Sequence, residues 1–332
     1  DQAVRAADSQ AALRLSKGLV NGVLRRFTRE RKMILSQVES RPEARWNHPG
    51  WWVKELRRAY PRDWEALLQA ANRPGPLTLR VNQRRCSVER LQAVLTEAGI
   101  ASSSPGVGAV TLDKAMPVQA IPGFDLGWWS VQDWSAQQAG LLLPVKDGMR
   151  VLDACAAPGG KTAHLLEQAD VSLLALDSDG ERLERVGHNL RRLGLASDKV
   201  QLKRGDAARP AQWWDGQPFD AILADVPCTA SGIVRRHPDI RWLRRESDIA
   251  DTARLQSSIL DALWSTLRAG GHLLYSTCSI FPAEGQQQVE AFLARHPEAQ
   301  LLDSPGQILP GVAGRSLADG DGFFYALFTR PV

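Results

Sequence analysis

Two cysteines in unusual sequence contexts are the residues of this chain best suited to covalent chemistry. Cys228 lies in the segment Asp-Val-Pro-Cys-Thr and Cys278 in the segment Ser-Thr-Cys-Ser, each after an apolar run that predicts a β-strand. A thiolate attacks electron-poor carbon, and C6 of a pyrimidine becomes such a carbon once N3 is protonated or hydrogen-bonded. That attack makes C5 nucleophilic, so C5 could accept a methyl group from a sulfonium donor. The plainer alternative for either cysteine is a small buried apolar side chain.

A predicted strand, tight turn and helix at residues 151–168 could hold such a donor. Gly159 and Gly160 lie in the turn and lack side chains, so the backbone can approach a nucleotide-like ligand closely. The free N–H groups at the start of the helix could donate hydrogen bonds to that ligand. The spacing is not the G-x-G-x-x-G of dinucleotide enzymes, and a phosphate loop would need glycine in place of Cys155. An ordinary strand-to-helix turn is the alternative.

Acidic residues follow three further predicted strands. Asp177 lies about 20 residues beyond the glycine turn, where a carboxylate can accept hydrogen bonds from both ribose hydroxyls of a nucleoside. Asp206 could accept a hydrogen bond from an adenine amino group, and Asp225 begins the segment that contains Cys228. Ligands of open α/β sheets bind outside the carboxyl ends of the strands. We therefore expect these three carboxylates to share one crevice with Cys228 and Cys278.

The alternation of predicted strands and helices over residues 128–332 indicates a doubly wound α/β domain. The segment 128–133 is predicted as a turn that leads into a helix and then into the central strand. The predicted strands of this domain are 151–152, 172–176, 200–203, 219–224, 272–275 and, at the sheet edge, 323–329. Its predicted helices include 162–168, 180–194 and 247–267.

Two smaller units precede this domain. Residues 41–127 predict a small α/β unit, which could recognise RNA or could only brace a catalytic domain. Residues 1–40 have apolar residues near helical spacing among many arginines. The basic cluster could contact RNA phosphates or could be a solvated helix face. Because so short a segment cannot bury a core of its own, we expect it to belong to a larger helical domain.

Composition limits the class of protein. The chain has 332 residues, 44% of them hydrophobic, which is enough for two or more domains with a sizeable core. Its net charge of +4 permits a polyanionic partner without requiring one. We find no signal peptide and no apolar run long enough to span a bilayer. The four cysteines form no C-x-x-C pair and the histidines are scattered, which favours a cytoplasmic protein without a disulfide scaffold or a metal site.

Several segments together resemble the RNA cytosine-C5 methyltransferases, a family of enzymes that use S-adenosyl-L-methionine. The segments that carry this signature are 154–162, 225–229 and 276–279. Three others resemble more narrowly a bacterial branch of the family that acts on small-subunit (16S) ribosomal RNA, namely 17–25, 232–240 and 320–325. The resemblance extends over nearly the whole chain, and the pairing of Pro-Cys-Thr with Thr-Cys-Ser is highly specific.

The resemblance implies a fold and a setting. Residues 128–332 would form a Rossmann-like S-adenosylmethionine-dependent methyltransferase domain with a mostly parallel seven-stranded sheet. Residues 41–127 would be a small α/β, RNA-recognition-like subdomain, and residues 1–40 the remnant of a NusB-like helical RNA-binding domain. The protein would work on ribosomal RNA in the cytoplasm as a monomer without a metal. Trp134 and Ala154 depart from the family pattern, which has a small residue and a leucine-like residue there, and neither touches the proposed chemistry.

The resemblance also implies a role for each candidate residue. Cys278 would attack C6 of the cytosine, and Cys228 would assist release of the methylated product. Asp225 would line both the cofactor and the target base, Asp177 would bind the ribose and Asp206 the adenine end. The residues that would enclose the amino-acid and sulfonium end of S-adenosylmethionine are Cys155, Ala156, Ala157, Pro158, Gly159, Gly160 and Lys161.

An arginine-rich segment follows Cys228. A stacked cytosine cannot reach a thiol at the bottom of a crevice, so the base must be unstacked while the RNA backbone is held. We predict that a patch of four arginines contacts RNA phosphates, and a solvated arginine face is the alternative. The four residues of this patch are Arg235, Arg236, Arg241 and Arg244.

Other functions are compatible with parts of the pattern. An oxidoreductase on this fold lacks support because G-x-G-x-x-G is missing. Amino-group methylation needs no covalent nucleophile and uses an N-P-P-Y type motif, which Asp-Val-Pro-Cys replaces here. DNA cytosine methyltransferases take their nucleophile from the Pro-Cys motif, so the roles of Cys228 and Cys278 separate the two classes. Methylation of another RNA such as tRNA, or RNA binding without catalysis, also stays open, as do the target cytosine and the acceptor of its C5 proton.

Overall fold

The computed structural model describes residues 2–317 and 319–332, and the chain divides into two compact units, Asp1–Lys54 and Glu55–Val332. The first unit consists of helices, which confirms the helical prediction for residues 2–40; Asp1 lies outside the described residues. Its helices are α1 (Gln2–Ser9), α2 (Lys17–Val38) and α3 (Pro42–Trp46). The backbone of α2 leaves helical geometry at Glu30. The NusB-like character of this segment stays a prediction.

A small antiparallel sheet lies in the second unit. It follows the helices α4 (Gly50–Ala59) and α5 (Trp64–Ala71), and its elements are β1 (Leu77–Val81), α6 (Val88–Glu97), β2 (Ser102–Ser103), β3 (Ala109–Leu112) and β4 (Trp129–Val131). The strand order is β2-β3-β1-β4, and α6 begins after Ser87, whose side chain accepts a hydrogen bond from the backbone N–H of Arg90. The segment 128–133, predicted as a turn, contains β4, which pairs with β1.

The large sheet has seven strands, β5 (Arg150–Asp153), β6 (Ser172–Asp177), β7 (Val200–Arg204), β8 (Phe219–Asp225), β9 (Leu267–Thr277), β10 (Gln300–Ile308) and β11 (Phe323–Thr329). Their order in the sheet is β10-β11-β9-β8-β5-β6-β7, and the five strands from β9 to β7 are parallel. The helices that accompany them are α7 (Trp134–Leu142), α8 (Gly160–Gln168), α9 (Gly180–Leu193), α10 (Ile240–Leu243), α11 (Ser247–Trp264) and α12 (Gln286–Arg295). The predicted doubly wound sheet is therefore confirmed.

One edge of this sheet differs from the prediction. β11 is not an edge strand, because it pairs with β9 on one side and with β10 on the other. The sequence of β10 contains Pro305 and Gly306, which normally interrupt strands, and its register shifts between Leu302 and Gly306. Such an irregular strand is tolerated at an edge, where fewer ladder hydrogen bonds are needed.

Helices cover both faces of the large sheet. Successive side chains of β5 enter different apolar clusters, Val151 with residues of α8 and α9, and Leu152 with residues of α11 and α12. Because side chains alternate between the faces of a strand, the burial of both Val151 and Leu152 shows that this central strand is covered on both sides. This arrangement places the loops after β5, β6, β8 and β9 at one edge of the sheet. In the described part of the chain, no helix is both long and apolar enough to cross a membrane.

A buried ion pair joins the small sheet to α8, a helix that packs on the large sheet. Arg80 of β1 is 1% exposed and donates two hydrogen bonds of 2.8 Å to the carboxylate of Glu167 in α8. The same guanidinium donates to the side chain of Gln132 and to the carbonyl oxygen of Gly160 at the start of α8. A bidentate pair of this kind fixes both distance and orientation.

Arg80→Met should lower the free energy of unfolding by about 3–5 kcal/mol, because it leaves the Glu167 carboxylate buried without its counter-ion. Chemical denaturation measures this loss. The control is Lys199→Met, which breaks the exposed ion pair with Asp170 and should leave the free energy of unfolding close to that of the wild type. Equal losses in the two variants would contradict a structural role for the buried pair.

Candidate active site

The crevice at the carboxyl ends of the parallel strands holds most of the predicted site residues. It contains a cavity of about 270 Å³ between the loops that follow β5, β6, β7, β8 and β9. β5 and β8 are neighbours although the chain passes through β6 and β7 between them, and ligands bind at such a switch in strand order. Predicted residues that line the cavity are Cys155, Ala157, Asp177, Asp206, Asp225, Cys228 and Cys278.

The glycine turn before α8 has the geometry that the sequence predicts. Gly159 has φ +97°, and a Cβ atom there would lie 3.0 Å from the Cα of Val186, so only glycine fits. The turn is tied to the sheet by a 2.9 Å hydrogen bond from the N–H of Ala156 to the carbonyl oxygen of Leu176. A second cavity of about 200 Å³ is bordered by this turn, including Pro158, Gly160 and Lys161. The turn is therefore a cradle with room for a ligand beside its backbone.

Asp177 and Asp206 line the larger of these two cavities. The Asp177 carboxylate accepts hydrogen bonds from the N–H groups of Ala157 (2.9 Å) and Asp179 (3.0 Å), which fix its orientation. The Asp206 carboxylate accepts one from the N–H of Ala208 at 3.0 Å, and its side chain is 44% exposed. A carboxylate has about four acceptor positions, so both groups can accept further hydrogen bonds from a ligand.

Asp225 at the end of β8 is held from two sides. The ammonium group of Lys161 lies 2.6 Å from one carboxylate oxygen, and the hydroxyl of Ser276 donates to the other at 2.7 Å. Burial opposes the charge of Lys161, but the attraction of Asp225 outweighs it and raises the pKa of that lysine. The two residues therefore form a charged, oriented pair between the glycine turn and the cysteines.

The two candidate cysteines meet in the crevice. Their Sγ atoms are 3.4 Å apart, although the residues follow different strands. The hydrogen bond with Cys278 and burial both raise the pKa of the Cys228 thiol well above its ordinary value, so Cys228 keeps its proton at neutral pH. Burial also raises the pKa of Cys155, which makes that thiol unreactive. Cys228 is therefore a thiol that can donate a hydrogen bond within the crevice.

Glu284 is a site residue that the sequence reasoning missed. Its carboxylate is fully buried and accepts hydrogen bonds from Thr229 and Ser279, the residues that directly follow the two cysteines. The sequence indicates this residue only as a single acidic side chain shortly after Cys278. A single acid at that place does not predict burial, because Glu is rarely buried.

Three members of the predicted arginine patch are engaged by other parts of the protein. The side chain of Arg235 is 2% exposed and pairs with Asp321, while Arg236 is 26% exposed and pairs with both Asp321 and Asp133. Arg241 is 1% exposed and donates hydrogen bonds to Asn72 and to the carbonyl oxygen of Ala71. These contacts anchor the loop after Cys228, and contact of the patch with phosphate stays a prediction.

Arg244, the fourth member of the patch, supports the same loop. Its guanidinium donates to the carbonyl oxygen of Thr229 at 3.1 Å and lies 3.4 Å from that of Cys228. The side chain is partly exposed. Of the four, Arg244 alone combines a contact to the cysteine loop with access to solvent, and its contact with phosphate stays a prediction.

The fold and the crevice define the protein as an S-adenosylmethionine-dependent methyltransferase. The family model described as "16S rRNA methyltransferase RsmB/F" matches residues 140–329, and a model for the ferredoxin-like domain of RsmF/B-like methyltransferases matches residues 48–119. The chain therefore belongs to the 16S rRNA methyltransferase RsmB/F family, whose members methylate C5 of cytosine in ribosomal RNA. This confirms the family and the cofactor that the sequence motifs predict.

Individual relatives agree with this placement. The chain is 48% identical over 314 residues to "Ribosomal RNA small subunit methyltransferase B" of Citrobacter koseri, covering 93% of this chain and 72% of the relative. The protein of the same name from Salmonella typhi is 48% identical over 319 residues, with the same coverage of 93% and 72%. A solved structure of a methyltransferase homolog from Pyrococcus horikoshii is 26% identical with a TM-score of 0.73, covering 87% of this chain and 97% of that one.

The site also predicts a pH effect on stability through Asp153, at the end of β5. This carboxyl is fully buried; one oxygen accepts a hydrogen bond from the Thr162 hydroxyl at 2.7 Å, and the other has no partner among the described residues. Burial raises its pKa from 3.8 to about 7. Between those two values the folded state binds more protons than the unfolded chain, so Asp153 makes the free energy of unfolding fall as the pH rises.

Asp153→Asn should therefore lose less stability than the wild type when the pH is raised from 5 to 8. Denaturant unfolding at both pH values measures the difference between the two proteins. Asp198→Asn, at an exposed position, controls for the loss of one carboxylate and should follow the wild type. A wild-type pH dependence that survives in Asp153→Asn would contradict the assignment.

Proposed function

We propose that the protein methylates C5 of a cytosine in 16S ribosomal RNA through a covalent bond between the Cys278 sulfur and C6 of the base. The observation that carries this proposal is the 3.4 Å contact between the Sγ atoms of Cys278 and Cys228 beside Asp225. Membership of the family indicates the reaction, which is methylation of cytosine C5. The contact between the sulfurs supports different roles for the two thiols in that reaction. The name of the relatives, small-subunit methyltransferase B, supports the choice of RNA.

The residues of the crevice fit S-adenosylmethionine, which supplies an electrophilic methyl group when bound. The glycine turn borders a cavity of about 200 Å³, and we propose that residues 155–161 enclose the amino-acid and sulfonium end there. Asp177 would accept hydrogen bonds from the ribose hydroxyls and Asp206 from the adenine amino group. Both carboxylates retain acceptor positions that face the larger cavity.

Each remaining residue then has one task. The Cys278 thiolate adds to C6 as N3 gains a proton. Asp225, oriented by Lys161 and Ser276, accepts a hydrogen bond from the cytosine amino group and holds the base in place for this addition. After C5 has accepted the methyl group, a base takes the C5 proton. The electron pair of the C5–H bond then restores the ring double bond as the bond between C6 and sulfur breaks and its electrons return to the Cys278 sulfur. The Cys228 thiol, which keeps its proton, donates a hydrogen bond to the departing Cys278 sulfur.

The target base has to leave its stack to reach these thiols. We propose that the small sheet and the helical residues 1–40, which we assign to a NusB-like domain, hold the RNA around that base. The boundaries of 41–127 for the small domain and 128–332 for the catalytic domain remain our proposal, with β4 as a strand that joins the small sheet. We also propose a cytoplasmic monomer, in keeping with a substrate that is ribosomal RNA.

The thiol roles predict opposite behaviour of two alanine variants with 16S ribosomal RNA and S-adenosylmethionine. Cys228→Ala should accumulate a protein–RNA adduct that survives a denaturing gel, because addition to C6 is intact and release is slowed. Cys278→Ala should form no adduct and no 5-methylcytosine. Cys86→Ala, which removes a buried cysteine of the small domain, is the matched control and should behave as wild type.

Adduct in Cys278→Ala and none in Cys228→Ala would reverse the roles and indicate the mechanism of the DNA cytosine methyltransferases. Absence of adduct in every variant, with methylation retained in Cys278→Ala, would contradict covalent catalysis. Binding of S-adenosylmethionine to both variants, measured by calorimetry, shows that the crevice is intact.

A further inference from the structure

We propose that Glu284 is a positioning residue that fixes the separation of the two reactive sulfurs. Glu284 ends a short turn, Pro282–Glu284, just before α12. Its carboxylate connects the loop that contains Cys228, the loop that contains Cys278 and the middle of α11. This inference rests on the proposed roles of the two cysteines and adds a residue that touches neither substrate nor cofactor.

The connection to the Cys228 loop is made through the next residue. Oε1 of Glu284 accepts a hydrogen bond from the backbone N–H of Thr229 at 2.8 Å, and Oε2 accepts one from the Thr229 hydroxyl. The side-chain amide of Gln256 in α11 donates to Oε1 at 3.1 Å and also to the carbonyl oxygen of Pro227 at 2.9 Å. The residues on both sides of Cys228 are thus held by one carboxylate and one amide.

The connection to the Cys278 loop has the same form. The hydroxyl of Ser279 donates to Oε2 of Glu284 at 2.6 Å. The backbone carbonyl oxygen of Glu284 accepts hydrogen bonds from the hydroxyls of Tyr275 (2.8 Å) and Thr277 (3.2 Å), the latter directly before Cys278. Glu284 therefore contacts Thr229, Thr277 and Ser279 directly, so movement of either loop breaks hydrogen bonds to a shared acceptor.

Stability alone does not explain an ionisable group at this place. Glu284 is 0% exposed, and the donors to its carboxylate are neutral, with the Thr252 hydroxyl at 2.8 Å as a further one. Removing a carboxylate from water is costly, and well-packed apolar residues often stabilise a core as well as a buried charge does. A group that is costly to bury but accepts five hydrogen bonds in fixed directions suits the task of orientation.

The charge has a second effect on the cysteines. It adds to the hydrogen bond with Cys278 and to burial in raising the pKa of the Cys228 thiol. The same carboxylate that fixes the two loops thereby helps to keep the proton on Cys228. The Glu284 carboxylate thus affects both the position of the two cysteine loops, through Thr229 and Ser279, and the protonation of Cys228.

The test separates the two arms of the network. Ser279→Ala removes the hydrogen bond from the Cys278 loop to Glu284. It should therefore slow methyl transfer about 10-fold or more and form less adduct than wild type. Thr229→Val removes the hydrogen bond that the Thr229 hydroxyl of the Cys228 loop donates to Glu284. It should therefore slow release of the methylated RNA and accumulate adduct. A misplacement of about 1 Å can cost on the order of 100-fold in rate. Denaturing gels and single-turnover rates with 16S ribosomal RNA measure both.

Glu284→Gln tests the carboxylate itself. The amide retains the shape and one acceptor oxygen, so we expect a folded protein with KM values for RNA and S-adenosylmethionine within about twofold of wild type and a kcat at least about 10-fold lower. Glu290→Gln, an exposed substitution in α12, is the matched control and should leave kcat unchanged. Thermal unfolding of each variant shows that the folded fraction is the same.

A merely structural role gives a different pattern. Thr229→Val and Ser279→Ala would then show the same adduct level, or Glu284→Gln would lose stability while the folded fraction kept its kcat; either result overturns the inference. The failure of the proposed function is separate, because it appears in Cys228→Ala and Cys278→Ala, whose adduct pattern does not involve Glu284.

Discussion

The pairing of β8 with β9 is the constraint on which the active site depends. The strands are parallel neighbours with Asp225 opposite Ser276, so the segments that leave them emerge side by side. The Ser276 hydroxyl donates to Asp225 at 2.7 Å, and just beyond this bond the sulfurs of Cys228 and Cys278 come within 3.4 Å. Because side chains alternate along a strand, a slip of one residue in this pairing would turn one set of side chains to the wrong face.

Buried polar groups hold the loops that this pairing brings together. Arg235 and Arg236 bind Asp321 and so tie the loop after Cys228 to the segment before β11, while Glu284 ties the two cysteine loops to α11. Burying such charged groups costs free energy, and what the protein gains is a fixed orientation of the loops that they hold. The two candidate thiols therefore lie on loops whose freedom is restricted by charge-assisted contacts as well as by apolar packing.

The sequence is informative where local pattern and topology decide the outcome. Apolar runs that end in Asp177 or Asp225 predict strands, and the carboxyl ends of parallel strands must meet, so the crevice and its cysteines can be predicted. β10 is missed because Pro305 and Gly306 resemble a loop, and its strand character comes from pairing with β11. The partners of the arginines are not predicted, because a residue such as Asp321 lies 86 residues away in sequence. No local rule shows whether an arginine meets such a carboxylate or solvent.

The most direct test of the covalent mechanism is to identify the cysteine that bonds to the base. A 16S ribosomal RNA that carries 5-fluorocytosine is incubated with the wild-type protein and S-adenosylmethionine, because fluorine cannot leave C5 as a proton does and the adduct persists. Digestion and mass spectrometry then locate the attached nucleotide. The account predicts a methylated fluorocytosine on the peptide that contains Cys278; attachment to Cys228, or methylation of ordinary RNA with no trapped peptide, would contradict it.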